Sequence, residues 1–218
     1  MTASESFFAN VSDAPRFREA VRRFDEANAA DPNTEEAEGR AWPRELLYAH
    51  RLTAWVMQLC PDASEELRLA TRSQHICRWT IPRATYEMTR AGYLKWRADL
   101  KTFHARKAGE ILQEVGYPES VVARVQALNL KKDFPRDPES RVLEDALCLV
   151  FLQFQLGELA RHSTADKMIN ALRKSWNKMT STAQAEALKL PFGPHEASLI
   201  QEAIPAPLPP GLPGKSPK

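Results

Sequence analysis

One stretch of the chain decides the fold class: residues 143–152, which read LEDALCLVFL. They lie within a longer helical pattern, Glu139 to Arg161, that begins after an Asp-Pro pair and is apolar around nearly its whole circumference. A helix that is apolar on all sides is buried, so this pattern predicts a central helix. On both sides of it helical signals recur, whereas sustained two-residue alternation and Asn-Gly or Asp-Gly turns do not. We therefore predict an all-α fold.

Outside this stretch, capping residues, prolines and glycines bound further predicted helices. The predicted ranges are 13–30, 43–59, 64–79, 92–115, 118–131, 164–179, 181–188 and 194–203, with an irregular segment at 80–91. We expect a single-domain helical bundle over residues 1–204. Residues 205–218 hold six prolines and predict a disordered tail. Docking of that tail into a partner protein's aromatic groove is the alternative.

The composition excludes several classes of protein. The chain has 218 residues, 43% of them hydrophobic and 27% charged, and a formal net charge of +2. These values do not fit a collagen-like, wholly disordered or histone-like chain. The apolar runs are too short for a membrane span and the N-terminus lacks a basic signal region, so we expect a cytoplasmic protein. Cys60, Cys77 and Cys148 are predicted to be reduced thiols.

A basic and aromatic segment, residues 71–110, is the first candidate binding region. It holds nine lysines and arginines against three acidic residues, interleaved with tryptophan, tyrosine and phenylalanine. Guanidinium groups bind phosphate oxygens and aromatic rings stack on bases, so we expect a small nucleotide or phosphorylated ligand here. The predicted substrate-binding residues are Arg78, Trp79, Arg83, Arg90, Tyr93, Trp96 and Arg97. Alternatively, these arginines are structural. A nucleic-acid polymer would need a wider charged stripe.

Four residues on different predicted helices could bind a metal: His50, His75, His104 and Asp145. Asp145 is the most informative, because a carboxylate on a buried helix must be stabilised by a metal, by an arginine or by protonation. A buried salt bridge is therefore the alternative for Asp145, and a hydrogen-bonded core position is the alternative for His50. On the predicted helix 64–79, His75 shares one face with Arg78 and Trp79.

The order His50, His75, Asp145 resembles the HD-type metal-dependent phosphohydrolase superfamily. This resemblance implies an HD-domain-like helical bundle and a divalent ion held by these residues. His104 could replace a missing ligand, and the resulting set of three histidines and Asp145 suits Zn, Mn or Fe. The chain departs from the superfamily at Ile76, which stands where the superfamily has an aspartate directly after the second histidine.

A second resemblance covers about residues 16–190. The stretches QHICRW (74–79), IPR (81–83), RAGYLKWR (90–97) and LEDALCLVFL (143–152) are together similar to a family known as domain of unknown function 4202. That resemblance implies a shared fold and candidate positions, but no reaction.

Two main hypotheses follow for function. The first is a metal-dependent phosphohydrolase of nucleotides or small phosphorylated metabolites, with Asp145 as a catalytic metal ligand and Glu144 as general base. The second is a non-catalytic nucleotide-binding, anion-binding or protein-interaction module that has lost the metal, as Ile76 suggests. RNA binding through the basic segment ranks third. A helical interaction protein with purely structural arginines and histidines stands against all three.

Overall fold

The structure is a computed structural model that describes residues 7–204. These residues are predominantly α-helical, which confirms the predicted all-α class. They form two compact units, residues 7–150 and 151–204. The single domain over residues 1–204 stays a prediction, and the proline-rich tail predicted at 205–218 lies outside the described residues.

The first unit follows the predicted helices closely, because local capping signals fix their starts. The side chains of Asp13, Ser64 and Thr89 each accept a hydrogen bond from a backbone N–H in the first turn of the helix that follows. The helices of this unit are α1 (Ala14–Ala29), α2 (Arg44–Leu59), α3 (Glu65–Ser73), α4 (Arg90–Glu114), α5 (Glu119–Leu130) and α6 (Pro138–Val150).

Helix α3 packs against all five other helices of the first unit. Helix α2 packs against α1, α3 and α6, while α4 packs against α5. The core between these helices contains fully buried side chains such as Phe17, Leu52, Leu112 and Leu149. The first turn of α2 lies close in space to the end of α3, so the polar residues at these two ends come together beside α4.

A short antiparallel ribbon precedes α2 and was not predicted. It pairs β1 (Thr34–Ala37) with β2 (Arg40–Pro43) in a register that sets Thr34 opposite Pro43. Its turn is formed by Glu38 and Gly39, both with positive φ (53° and 74°), as in the tight turns that join hairpin strands. Sequence patterning missed the ribbon because its strands are charged and largely exposed, so they lack apolar alternation.

Two predicted helices are shorter in the structure. The helix predicted over 64–79 ends at Ser73 and is followed by turns, two of them 3-10 helical: Arg78–Thr80 and Arg83–Thr85. Cys77 adopts a left-handed conformation (φ 51°) that no α-helix accommodates. The helix predicted over 139–161 is likewise interrupted after Val150 by a π-helical turn. The change from the α-helical to the π-helical period could not be predicted, because apolar residues occur on every side of this helix.

The second unit begins with this π-helical turn and continues with short helices. Helix α8 packs against α10 around buried leucine, isoleucine and methionine side chains. The elements are the π-helical turn (Phe151–Gln155), α7 (Leu156–Arg161), α8 (Ala165–Trp176), α9 (Ser181–Ala187) and α10 (Pro194–Ala203). None of the helices described between residues 7 and 204 is both long enough and apolar enough to cross a bilayer.

Candidate functional site

Five side chains from α2, α4 and the turn after α3 form the site, which we call the His75 cluster: Glu45, Tyr48, His75, Arg78 and His104. Nδ1 of His75 lies 3.3 Å from Oε2 of Glu45, and Nε of Arg78 lies 3.8 Å from the other carboxylate oxygen. The ring of Tyr48 stacks on His75 with centroids 4.1 Å apart. The two imidazoles lie 5.8 Å apart between centroids. The cluster thus combines two imidazoles, a carboxyl group and a guanidinium group.

The turn that carries His75 and Arg78 is held from two sides. The buried side chain of Asn28 donates to the carbonyl of Arg72 at 3.2 Å and accepts from the N–H of Cys77 at 3.2 Å. On the other side, Nδ1 of His104 donates to the carbonyl of Ile76 at 2.8 Å. These bonds satisfy one carbonyl in the last turn of α3 and two backbone groups of the turn that follows it. The turn is therefore fixed by groups distant in sequence.

Glu45 occupies the first turn of α2. Its backbone N–H donates to the side chain of Asp31 at 3.1 Å, and only 7% of the residue is exposed. Burial raises the pKa of Glu45 from 4.5 to about 7, opposed by the positive charge of Arg78 and reinforced by Asp31. A carboxyl group with this pKa exchanges its proton near neutral pH.

Both imidazoles of the cluster are neutral at physiological pH. Burial lowers the pKa of His75 well below its ordinary value, and the positive charges of Arg78, Lys131 and Arg97 lower it further. Burial likewise lowers the pKa of His104 to about 3. Because Nδ1 of His104 carries the proton given to the Ile76 carbonyl, its Nε2 presents a lone pair. That Nε2 is buried and has no hydrogen-bond partner.

A second ion pair lies close to the cluster. Lys131, in a left-handed conformation after α5, pairs with the buried carboxylate of Glu144 on α6. Burial is the main cause of the raised pKa of Tyr48, and the charges of Glu45 and Glu144 add to it. The predicted general base Glu144 therefore lies near the cluster, but it is engaged with a lysine. Asp145, next to it, is also buried, at 4% exposure.

Aromatic residues near the start of α4 lie next to the His75 cluster, on the side of Arg78. The indole N–H of Trp96 donates to the carbonyl of Ile81 at 2.9 Å, which fixes the ring. The guanidinium carbon of Arg78 lies 4.7 Å from the centre of the Trp96 ring. Tyr93 lies next to Trp96, with centroids 5.9 Å apart, and the guanidinium of Arg97 lies 5.8 Å from the Tyr93 ring. Arg78 thus contacts both Glu45 and the aromatic group.

His50 is placed away from the His75 cluster. It lies on a different face of α2, where its Nε2 is 3.7 Å from the carboxylate of Asp25 and its ring packs edge-on against Trp42. Among residues 7–204, no three histidine, cysteine, aspartate or glutamate side chains form a group that could hold a metal ion. The predicted ligand set therefore stays a prediction.

Other predicted binding residues have different environments. Arg83 donates to the carbonyls of Tyr86, Glu87 and Thr89, and so fixes the loop before α4. Arg90 is exposed at the first position of α4. Trp79 is half-buried in the first 3-10 turn. Since α3 ends at Ser73, the prediction that His75, Arg78 and Trp79 share a helix face is wrong, because these residues lie in successive turns.

Three residues close to the site were missed by the sequence analysis: Glu45, Tyr48 and Lys131. Glu45 resembles the acidic residue common in the first turn of a helix. The sequence signal for Glu45 was its spacing from apolar residues of α2. Ala49 and Leu52, four and seven positions later, are buried on the same stripe of the helix. A charged residue on such a stripe indicates a special environment. Lys131 had no comparable signal.

Comparison with known proteins identifies the family but no relative with an assigned function. No curated protein matches the chain, and no solved structure does either. A family model described as "Domain of unknown function (DUF4202)" matches residues 18–200, which is most of the chain and includes every residue of the His75 cluster. The chain therefore belongs to the DUF4202 family.

Proposed function

We propose that this protein binds a small phosphorylated ligand at the His75 cluster. The observation that carries the proposal is the placement of Arg78, which lies against both the nearly buried Glu45 carboxyl group and the Trp96 ring. Ionisable groups gathered in a partly buried position are more often found at functional sites than elsewhere. His75 and Arg78 both keep part of their side chain exposed, at 22% and 30%, so an anion can reach them.

The charge balance of the site favours an anion. Three cations, Arg78, Arg97 and Lys131, surround His75 closely enough to lower its pKa. Three acidic groups oppose them, Glu144, Asp31 and Glu45, and Glu45 is half protonated near pH 7. With Glu45 half protonated, the cations slightly exceed the acidic groups, and a phosphate group would neutralise that excess. Guanidinium groups offer forked donors that match phosphate oxygens.

Calorimetric titration with ribose 5-phosphate tests this proposal. We expect saturable binding to the wild type, and a loss of about 10-fold or more in affinity in Arg78→Met, because hydrogen bonds to charged groups contribute about 1.5–3 kcal/mol. The matched control is Arg106→Met, which removes an exposed arginine of α4 that pairs with Glu110 and lies outside the His75 cluster. Circular dichroism checks that both variants fold. Equal affinities in the two variants would refute the assignment.

Metal-dependent phosphate hydrolysis, expected from the resemblance to the HD superfamily, is the second candidate. It is favoured by His104, whose Nδ1–H is given to a backbone carbonyl while Nε2 is buried without a hydrogen-bond partner. Metal-binding histidines are commonly oriented in this way. Against it, Ile76 is fully buried in the core at the position where the superfamily has an aspartate ligand. A bound divalent ion would supply an activated water at neutral pH.

Elemental analysis by mass spectrometry distinguishes the two candidates. If metal is bound, the wild type carries near-stoichiometric Zn, Mn or Fe, and His104→Gln and Asp145→Asn lose it while their circular dichroism is unchanged. His50→Gln and His75→Gln test the two remaining predicted ligands. A wild type that stays metal-free after incubation with these ions would exclude the hydrolase mechanism and leave the binding function in place.

A further inference from the structure

One stripe of α4 is buried at one end and uncovered at the other. Tyr93, Arg97, Leu100 and His104 recur at intervals of three to four residues and so share one face of the helix. Leu100 and His104 are buried, at 2% and 3% exposure. Arg97 and Tyr93 are exposed, although they continue the same face. This face of α4 is therefore open at Arg97 and Tyr93, and the charge of Arg97 acts on the nearby His75.

This open surface is aromatic and apolar. Tyr93 is 42% exposed, Leu94 55% and Met88 80%, three of the most exposed large apolar side chains in the described part of the chain. Next to them, the Trp96 ring is fixed by its hydrogen bond to the Ile81 carbonyl. A fixed aromatic group with an exposed neighbouring ring is suited to stacking a planar group.

The spacing between Arg97 and Tyr93 is compatible with a nucleotide. Arg97 and Tyr93 are one helical turn apart, which is about 6 Å along the axis. That is comparable with the distance between the 5′-phosphate and the base of a nucleotide. Arg78 connects the two regions, because it pairs with Glu45 and also lies over the Trp96 ring.

We propose that Tyr93 is the platform on which a nucleobase stacks, so that the phosphorylated ligand is a nucleotide rather than a sugar phosphate or a free phosphate. This inference rests on the proposed phosphate site. Stacking requires only the face of a ring, so we expect purine and pyrimidine nucleotides to share the surface. Arg97, whose guanidinium carbon lies 5.8 Å from the centre of the Tyr93 ring, would then bind the phosphate.

Calorimetry with two ligands tests the inference on the full chain. We expect adenosine 5′-monophosphate to bind about 10-fold more tightly than ribose 5-phosphate, which is within the range measured for base stacking on an aromatic side chain. In Tyr93→Leu this ratio should fall to about 1, while ribose 5-phosphate keeps its affinity. Tyr93→Phe should retain the ratio, since it keeps the ring. The matched control Tyr86→Leu removes a tyrosine that is engaged with Asp99.

The outcomes separate the inference from the proposed function. If ribose 5-phosphate binds and the nucleotide binds no more tightly, the platform is refuted and the phosphate site stands. The same holds if Tyr93→Leu leaves the ratio unchanged. If sedimentation shows that Tyr93→Leu breaks a dimer without changing nucleotide affinity, the surface is a contact between copies and the inference fails. If neither ligand binds, the phosphate site and the platform both fail.

Discussion

Replacing Glu45 by glutamine is the sharpest test of the electrostatics of the site. The substitution keeps the shape of the side chain and removes its ability to titrate. In the folded protein the pKa of Glu45 is about 7, against an ordinary 4.5, so the folded state keeps a proton that the unfolded chain releases. The contribution of this proton to the stability of the folded state is fully present below pH 4.5 and is lost as the pH rises through 7. Its full size is about 3 kcal/mol.

His75 and His104 change the stability with pH in the opposite direction to Glu45. The pKa values of His75 and His104 are lowered, so the unfolded chain takes up protons near pH 6.5 that the folded state does not bind. Their contribution is present above pH 6.5 and is lost as the pH falls. Because both imidazoles are already neutral in the fold, removing Glu45 leaves their contribution unchanged above pH 6. The difference between wild type and Glu45→Gln therefore isolates the carboxyl group.

Between about pH 6 and about pH 8.5, the free energy of unfolding of the wild type should fall by about 1.4 kcal/mol relative to that of Glu45→Gln. Urea unfolding at a series of pH values measures this. Trp176→Phe in both proteins confines the tryptophan fluorescence to the first unit, since the other four tryptophans precede residue 151. Glu119→Gln, at an exposed position in α5, is the matched control and should follow the wild type. Parallel curves for wild type and Glu45→Gln would refute the reasoning.

Two further substitutions test the surroundings of the site. In Gly92→Ala, the added Cβ would lie 2.2 Å from the Glu87 carbonyl oxygen, so we expect a loss of about 1–3 kcal/mol and faster hydrogen exchange in residues 83–89. Unchanged hydrogen exchange in residues 83–89 would contradict the packing described. The control is Gly39→Ala, whose added Cβ meets no atom within 4 Å but whose backbone has φ +74°; it should lower the free energy of unfolding by about 1 kcal/mol without affecting that loop. Lys131→Met withdraws the cation beside the Glu144 carboxylate, which is 6% exposed, and should cost about 3 kcal/mol in urea unfolding. A variant as stable as the wild type would show that this pair contributes nothing.

Most helices could be predicted from sequence because their starts are decided locally. Asp13 and Ser64 cap α1 and α3 with bonds that span three residues. Thr89 caps α4 in the same way, but this cap was missed, and the predicted start at residue 92 is two residues too late. Where the prediction failed, the cause was not local. The early end of α3 depends on Asn28 and His104, which hold the turn after it from 49 and 28 residues away.

The site was predictable in part. His75, His104 and Arg78 were all candidates, because histidines and arginines among apolar residues carry a visible signal. Glu45 was missed because an acidic residue in the first turn of a helix is ordinary in sequence, although its place on the apolar stripe of α2 was a signal. His50 was the histidine for which the sequence also favoured a structural role, and the fold places it beside Asp25, away from the other two.

The sequence by itself determined the helical class, the positions of most helix ends and the types of side chain available for a site. These follow from periodicity and capping, which act within a few residues. Only the tertiary structure decided which of those side chains meet. The proximity of Glu45, His75 and His104 depends on how three separate segments pack, and the pKa values of these groups depend on burial, which no local pattern encodes.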